Sequence, residues 1–122
     1  MREIKFNFYN THTKQYTRWE ESNAGMNMCS FFTHEHLRFL QYTGLKDKNG
    51  VEIYEGDIIQ ADSSSPIGNE VTAQVYFKEA GFALLTTRGS DTSIGYLVMI
   101  CPFAEVIGNI YQHKHLLEVQ HD

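Results

Sequence analysis

Glu70-Val71-Thr72-Ala73-Gln74-Val75-Tyr76-Phe77, then Lys78-Glu79-Ala80-Gly81, then Phe82-Ala83-Leu84-Leu85-Thr86-Thr87 is the stretch that decides the fold. Val71, Ala73, Val75 and Phe77 fall on one side of a period-two alternation, and Glu70, Thr72, Gln74 and Tyr76 on the other. That period is the mark of a strand with one face in the core. Gly81 stands where a tight reversal wants a left-handed residue, so the two runs read as a β-hairpin.

Working upstream, Asp62 to Asn69 carries Ser63-Ser64-Ser65-Pro66 and Gly68 and reads as a loop. Ile58 to Ala61 reads as a strand, entered through a sharp turn at Glu55-Gly56-Asp57. Val51 to Tyr54 is extended, and Lys46-Asp47-Lys48-Asn49-Gly50 before it is the clearest turn in the chain. There Asn-Gly supplies positive φ and Asp47 bonds the backbone ahead of it. Downstream, the apolar run Gly95 to Ile100 fits a strand or a single helical turn, and Pro102 interrupts it. Glu105 to Tyr111 reads as a last strand, in which Gly108 marks a bulge or a close backbone approach. His113 to Val119 is a polar tail with a short helix carrying Leu116 and Leu117.

Strands at this spacing, joined by ordinary loops, predict a mainly β protein built on a small antiparallel barrel rolled around Val71, Val75, Phe77 and Ile110. Glu-Gly-Asp-Ile-Ile resembles the first strand of SH3-like barrels, so the barrel is placed at residues 46–112. Residues 1–45 form an N-terminal β-rich extension, and residues 113–122 a C-terminal tail of the same compact unit. In the extension, Ile4, Phe6 and Phe8 alternate with polar neighbours and predict a strand. Asn10 to Thr13 is a turn and Gln15 to Trp19 the returning strand, followed by a loop from Glu20 to Asn27. The fold of Met28 to Phe32 stays open. Thr33 caps a short turn into Leu37-Arg38-Phe39-Leu40, and Gln41-Tyr42-Thr43 is extended.

Composition agrees. The 122 residues are 42% hydrophobic, 13% aromatic and 20% charged, which supports one packed domain and excludes wholesale disorder. The net charge of −5 divides unevenly: residues 1–40 hold five basic and four acidic residues (+1), and residues 41–122 hold five and eleven (−6). Phosphate backbones are poor partners for such a surface. Cys29 and Cys101 lie in apolar contexts without CxxC spacing and read as reduced, buried thiols. The opening residues contain no apolar leader core, and the apolar run Gly95 to Ala104 is far short of a membrane helix. The expectation is a soluble, cytoplasmic protein with no membrane partner.

Two blocks resemble the YopX family of phages and prophages. One is Gln41-Tyr42-Thr43-Gly44-Leu45-Lys46-Asp47-Lys48-Asn49-Gly50-Val51-Glu52-Ile53-Tyr54-Glu55-Gly56-Asp57-Ile58-Ile59. The other is Glu105-Val106-Ile107-Gly108-Asn109-Ile110-Tyr111, with Leu116-Leu117 after it; the opening Met1 to Phe6 fits as well. The resemblance implies a predominantly β protein with an SH3-like barrel, phage or prophage origin and a tendency to self-associate. It implies no activity and brings no catalytic residue and no cofactor. Where family members carry a Trp-Asp-like pair, this chain reads Phe8-Tyr9-Asn10. The shared positions Tyr42, Gly44, Leu45, Asp47, Gly50, Tyr54, Glu55, Gly56, Asp57, Gly108 and Asn109 read as structural. The glycines bend the backbone and the aspartates satisfy turn amides.

Chemistry is sparsely signalled. His34-Glu35-His36 and His113-Lys114-His115 each put two imidazoles on one side of a strand, the spacing of a zinc pair. A metal site, and a His/carboxylate metal enzyme with it, requires the two pairs to converge. Gly-x-Ser-x-Gly is absent, and Gly44, Gly50 and Gly56 do not open a helix as a phosphate loop would. Tyr76, Phe82, Tyr96 and Tyr111, with Lys78, Arg88 and Lys114, are the residues a nucleic-acid-binding barrel would use for stacking and charge. The acidic balance disfavours that alternative. The leading reading is a non-enzymatic accessory protein that oligomerises and contacts a protein partner. It would do so by burying aromatic faces or pairing an open strand edge, with Ile4 to Tyr9 and Glu105 to Tyr111 as edge candidates.

Overall fold

The computed structural model describes residues 4–22, 36–64, 70–78, 81–86 and 96–117. The fold is mainly β, as expected. Among the described residues, eight strands form two four-stranded antiparallel sheets, ordered β2-β1-β3-β4 and β7-β6-β5-β8. The first sheet holds β1 (Phe6–Asn10), β2 (Tyr16–Thr17), β3 (Leu37–Lys46) and β4 (Glu52–Tyr54). The second holds β5 (Asp57–Ala61), β6 (Val71–Lys78), β7 (Gly81–Thr86) and β8 (Ala104–Asn109). Short helical turns complete it: α1 (Trp19–Ser22), α2 (Tyr96–Ile100) and 3-10 turns at Cys101–Phe103 and Lys114–Leu117.

The deciding hairpin forms with Phe77 opposite Phe82 and Lys78 opposite Gly81. Ala73, Val75, Phe82 and Leu84 line the core with Ile53, Ile59, Leu97 and Ile100. One residue of the predicted core face goes elsewhere: Phe77 is 51% exposed. It sits at the hairpin tip and shields buried Phe82 through an edge-to-face contact of 5.3 Å. Ile110 is only half-buried.

The described part of the apolar run, Tyr96–Ile100, is a helical turn, because Leu97, Ile100 and Cys101 go inward at helical spacing while Val98 and Met99 face out. Leu37 to Leu40 opens the ten-residue β3, continuous with the extended Gln41 to Thr43; Thr33 lies outside the described residues. Glu20 to Ser22 are helical, not loop.

The N-terminal strand differs from its reading in two ways. β1 lies between β2 and β3, so it is no sheet edge, and Asn7, Phe8 and Tyr9 are all buried. Phe6 and Phe8 pack against Trp19 and Phe39 on one side, while Tyr9 stacks on Tyr111 at 4.5 Å on the other. Each such aromatic pair contributes about 1 kcal/mol beyond its buried area. Asn7 is satisfied inside by Trp19 N–H and the Tyr16 hydroxyl. The polar turn after β1 forms as read: Asn10 Oδ1 accepts the amides of His12 and Thr13.

The turn between β4 and β5 joins the sheets. Gly56 has φ +88°, and a Cβ there would lie 3.2 Å from the Tyr111 ring. Only glycine takes that conformation without cost in that space. Its N–H donates to Val75 O and its carbonyl accepts from Ile110 N–H, while Glu55 N–H donates to Gln41 O. Backbone from β3, β6 and the end of β8 is thus tied to one turn.

Candidate functional site

Each family-like aspartate closes its turn, and each does more. Asp47 is buried, and its Oδ1 accepts the N–H groups of Asn49 and Val51 at 2.8 and 2.9 Å. Its Oδ2 accepts Val106 N–H at 2.9 Å, across 59 residues of chain. Lys48 N–H donates to Ala104 O. The outer edge of β8, legible in the sequence as an open edge, is therefore partly occupied by this loop. Among the remaining family-like positions, Tyr42 and Tyr54 face each other with ring centroids 5.4 Å apart, and Lys5 sits over the Tyr42 ring while pairing with Glu52. Gly44 and half-buried Leu45 lie in an irregularity of the β3–β4 pairing, where Thr43 Oγ1 donates to Ile53 O. Gly50 holds φ +81° in the turn after Asp47.

Asp57 caps the β4–β5 turn by accepting Tyr54 N–H on Oδ2 at 2.8 Å. Its other oxygen makes no hydrogen bond among the described residues, where no buried side-chain oxygen lacks one. That oxygen therefore opens into the cleft that Asp57 lines. The cleft holds about 370 Å³ and lies between β2 and the β5–β8 pair, lined by Tyr16, Arg18, Val51, Asp57, Val106, Ile107, Gly108, Asn109, Gln112 and His113.

Gly108 and Asn109 build the cleft floor. Ile58 pairs with Gly108 and Ile59 with Val106, leaving Ile107 as the extra residue of a bulge. A Cβ on Gly108 would sit 2.7 Å from the His113 ring, so both expectations for this glycine hold, bulge and close approach. Asn109 Oδ1 accepts the amides of Tyr111 and Gln112, and its Nδ2 donates to Gln112 Oε1. His113 Nδ1 accepts Asn109 N–H at 3.1 Å, which leaves the proton of the neutral ring on Nε2.

Burial raises the Asp57 carboxyl to about 7; the Tyr54 amide and the Arg18 charge pull it back only in part. Burial likewise pushes the Tyr16 phenol up, with the Asp57 charge adding to it. Arg18 is exposed and makes no hydrogen bond or ion pair among the described residues. The cleft thus combines one inward carboxylate oxygen with donors on Arg18, Gln112 and His113 and with an apolar wall. It accommodates a small polar ligand.

The histidine candidates separate. His113 and His115 have ring centroids 6.3 Å apart, but His36 lies 5.4 Å from the His12 ring, a neighbour that the sequence had not singled out. His34 lies outside the described residues, as do Cys29 and Arg88. Among the described residues, three or more His, Cys, Asp or Glu are nowhere grouped to hold a metal ion. Of the stacking candidates, Phe82 is buried in the core and offers no face to a base, and Tyr111 is half-buried against Tyr9. Tyr76 is half-buried. Cys101 is a buried free thiol. No described helix is long and apolar enough to cross a membrane. A separate surface feature is the segment after α2 begins: Val98, Met99 and Phe103 are 60%, 45% and 41% exposed.

The site residues missed by sequence reading are Tyr16, Arg18 and Gln112. No local signal marks them; only the approach of β2 to the end of β8 does.

The family model described as YopX protein matches residues 2–118. No curated protein matches the chain. A solved structure of protein EF1440 from Enterococcus faecalis is similar at a TM-score of 0.64 and 22% identity, covering 97% of this chain and 100% of that one. The structure of protein yopX from Bacillus subtilis is similar at a TM-score of 0.58 and 18% identity, again over 97% and 100%. At these identities the two structures establish the shared fold.

Proposed function

The chain belongs to the YopX family, and from that membership we propose a phage- or prophage-encoded accessory protein that works through protein contacts, first of all with a second copy of itself. The observation that carries this reading is the outward apolar segment Val98, Met99 and Phe103. Leu97, Ile100 and Cys101 anchor it in the core from the other side, so it is presented on a fixed support. Large exposed apolar side chains grouped on six residues of chain cost solvation unless something covers them. An isologous contact between two copies covers both at once. Strand-edge pairing is the weaker route, because β1 is interior and β8 is partly occupied by the Asp47 loop.

Light scattering on the purified chain tests the proposal. The expected result is a mass above that of the monomer at micromolar concentration. The expected result for Val98→Glu with Met99→Glu is a folded monomer. A strictly monomeric wild type, or a variant that associates as the wild type does, overturns it.

A further inference from the structure

We propose that the cleft at the β4–β5 turn is a binding site for a small α-amino-acid-type zwitterion with an aliphatic side chain: the free oxygen of Asp57 takes its ammonium group, and Arg18 takes its carboxylate.

Asp57 is 6% exposed, and its unpartnered oxygen is the part of it open to the cleft. A carboxylate oxygen on the wall of a cleft accepts from a ligand donor, and a cationic donor gains most. Arg18 carries a guanidinium without an ion pair among the described residues, at the rim of the same cleft. Its planar fork matches a carboxylate. The two residues line the same cleft. A carboxyl group and a guanidinium in a single cleft match a zwitterion better than an amine or an acid alone. Gln112 is held by Asn109 through its Oε1, which leaves its Nε2 as a further donor in the cleft. Val106 and Ile107 in the bulge supply apolar wall for an aliphatic side chain. The volume of about 370 Å³ is at the small end of ligand pockets and fits a molecule of this size.

Nothing in this site overlaps the segment proposed for self-association, so the two readings fail separately. The test is calorimetric titration of the whole chain with L-leucine, L-isoleucine and L-valine, alongside N-acetyl-L-leucine, L-leucinamide and isoamylamine. At least one free amino acid is expected to bind at a single site. N-acetylation and amidation should each weaken it about tenfold or more, the loss of one charge-assisted contact. Asp57→Asn keeps an oxygen for the Tyr54 amide, and Arg18→Ala alters an exposed side chain; each should weaken binding about tenfold with an unchanged circular dichroism spectrum. Arg18→Ala remains decisive if Asp57→Asn misfolds. No heat with any of the three amino acids at about a hundredfold excess over protein overturns the proposal. Equal binding of the acetylated or amidated forms, or full affinity in Arg18→Ala, overturns it as well.

Discussion

Asp57 carries a measurable consequence of its position. Burial raises its folded pKa from 3.8 to about 7. Between those values the folded chain binds more protons than the unfolded one, so ionising Asp57 opposes folding. Its contribution is fully present below the unfolded value and is lost as pH rises through the folded one. Urea midpoints should therefore fall from about pH 5 to about pH 7.5, equivalent to about 2 kcal/mol, and level off above that. Asp57→Asn should flatten the profile in this window; a slope that persists in the variant would assign the effect to another group. Asp47 is a carboxylate with partners on both oxygens. Its carboxylate holds three backbone amides, one of them on β8. Asp47→Ala leaves those amides in part-buried surroundings without acceptors, at a cost of about 3 kcal/mol in denaturant titration. The local half of that role was readable, since Asp before Asn-Gly ties a turn. The bond to Val106 was not, because it depends on where β8 lies in space.

Elements extend the same lesson. Gly108 stood out in the sequence as a glycine inside a strand, and the structure gives the reason as a neighbour four residues after Asn109, the ring of His113. Gly108→Ala pushes a Cβ to 2.7 Å from that ring, so either the turn Asn109–His113 or the bulge must move. The expected loss is about 2 kcal/mol. In a His113→Ala background the obstacle is gone, and the same substitution should cost about 1 kcal/mol less. Additive costs in this double-mutant cycle would mean the ring is not what excludes a side chain. Alternation located β6 and β7 but misplaced Phe77, because period two reports which side of a strand a residue takes and not where the opposing layer ends. At the hairpin tip the layer has ended, and Phe77 covers Phe82 instead of entering the core. In the apolar run before Cys101 the ambiguity had the same root: with apolar residues on every side, neither period stands out, and packing on β7 selects the helical turn.

At the scale of the whole molecule, what the sequence could not show is convergence. Tyr16 comes from β2 and Arg18 from the link between β2 and α1, Asp57 from the start of β5, and Gln112 and His113 from beyond β8. Their meeting depends on the angle between the sheets, which no spacing along the chain encodes. The surface is a similar matter. Val98 and Met99 read simply as apolar, and only the burial of Leu97 and Ile100 turns them outward. If two copies cover that segment, association is linked to folding, and thermal stability must depend on concentration. Raising the protein from about 1 µM to about 100 µM should lift Tm by about 5 °C for a chain of this size. Val98→Glu with Met99→Glu should remove the dependence and leave Tm at the lowest concentration nearly unchanged, since neither side chain is in the core. A dependence that survives the substitutions would place the contact on a strand edge. The edge of β7 would then be the first to examine, because β8 already spends its Val106 N–H and Ala104 carbonyl on the Asp47 loop.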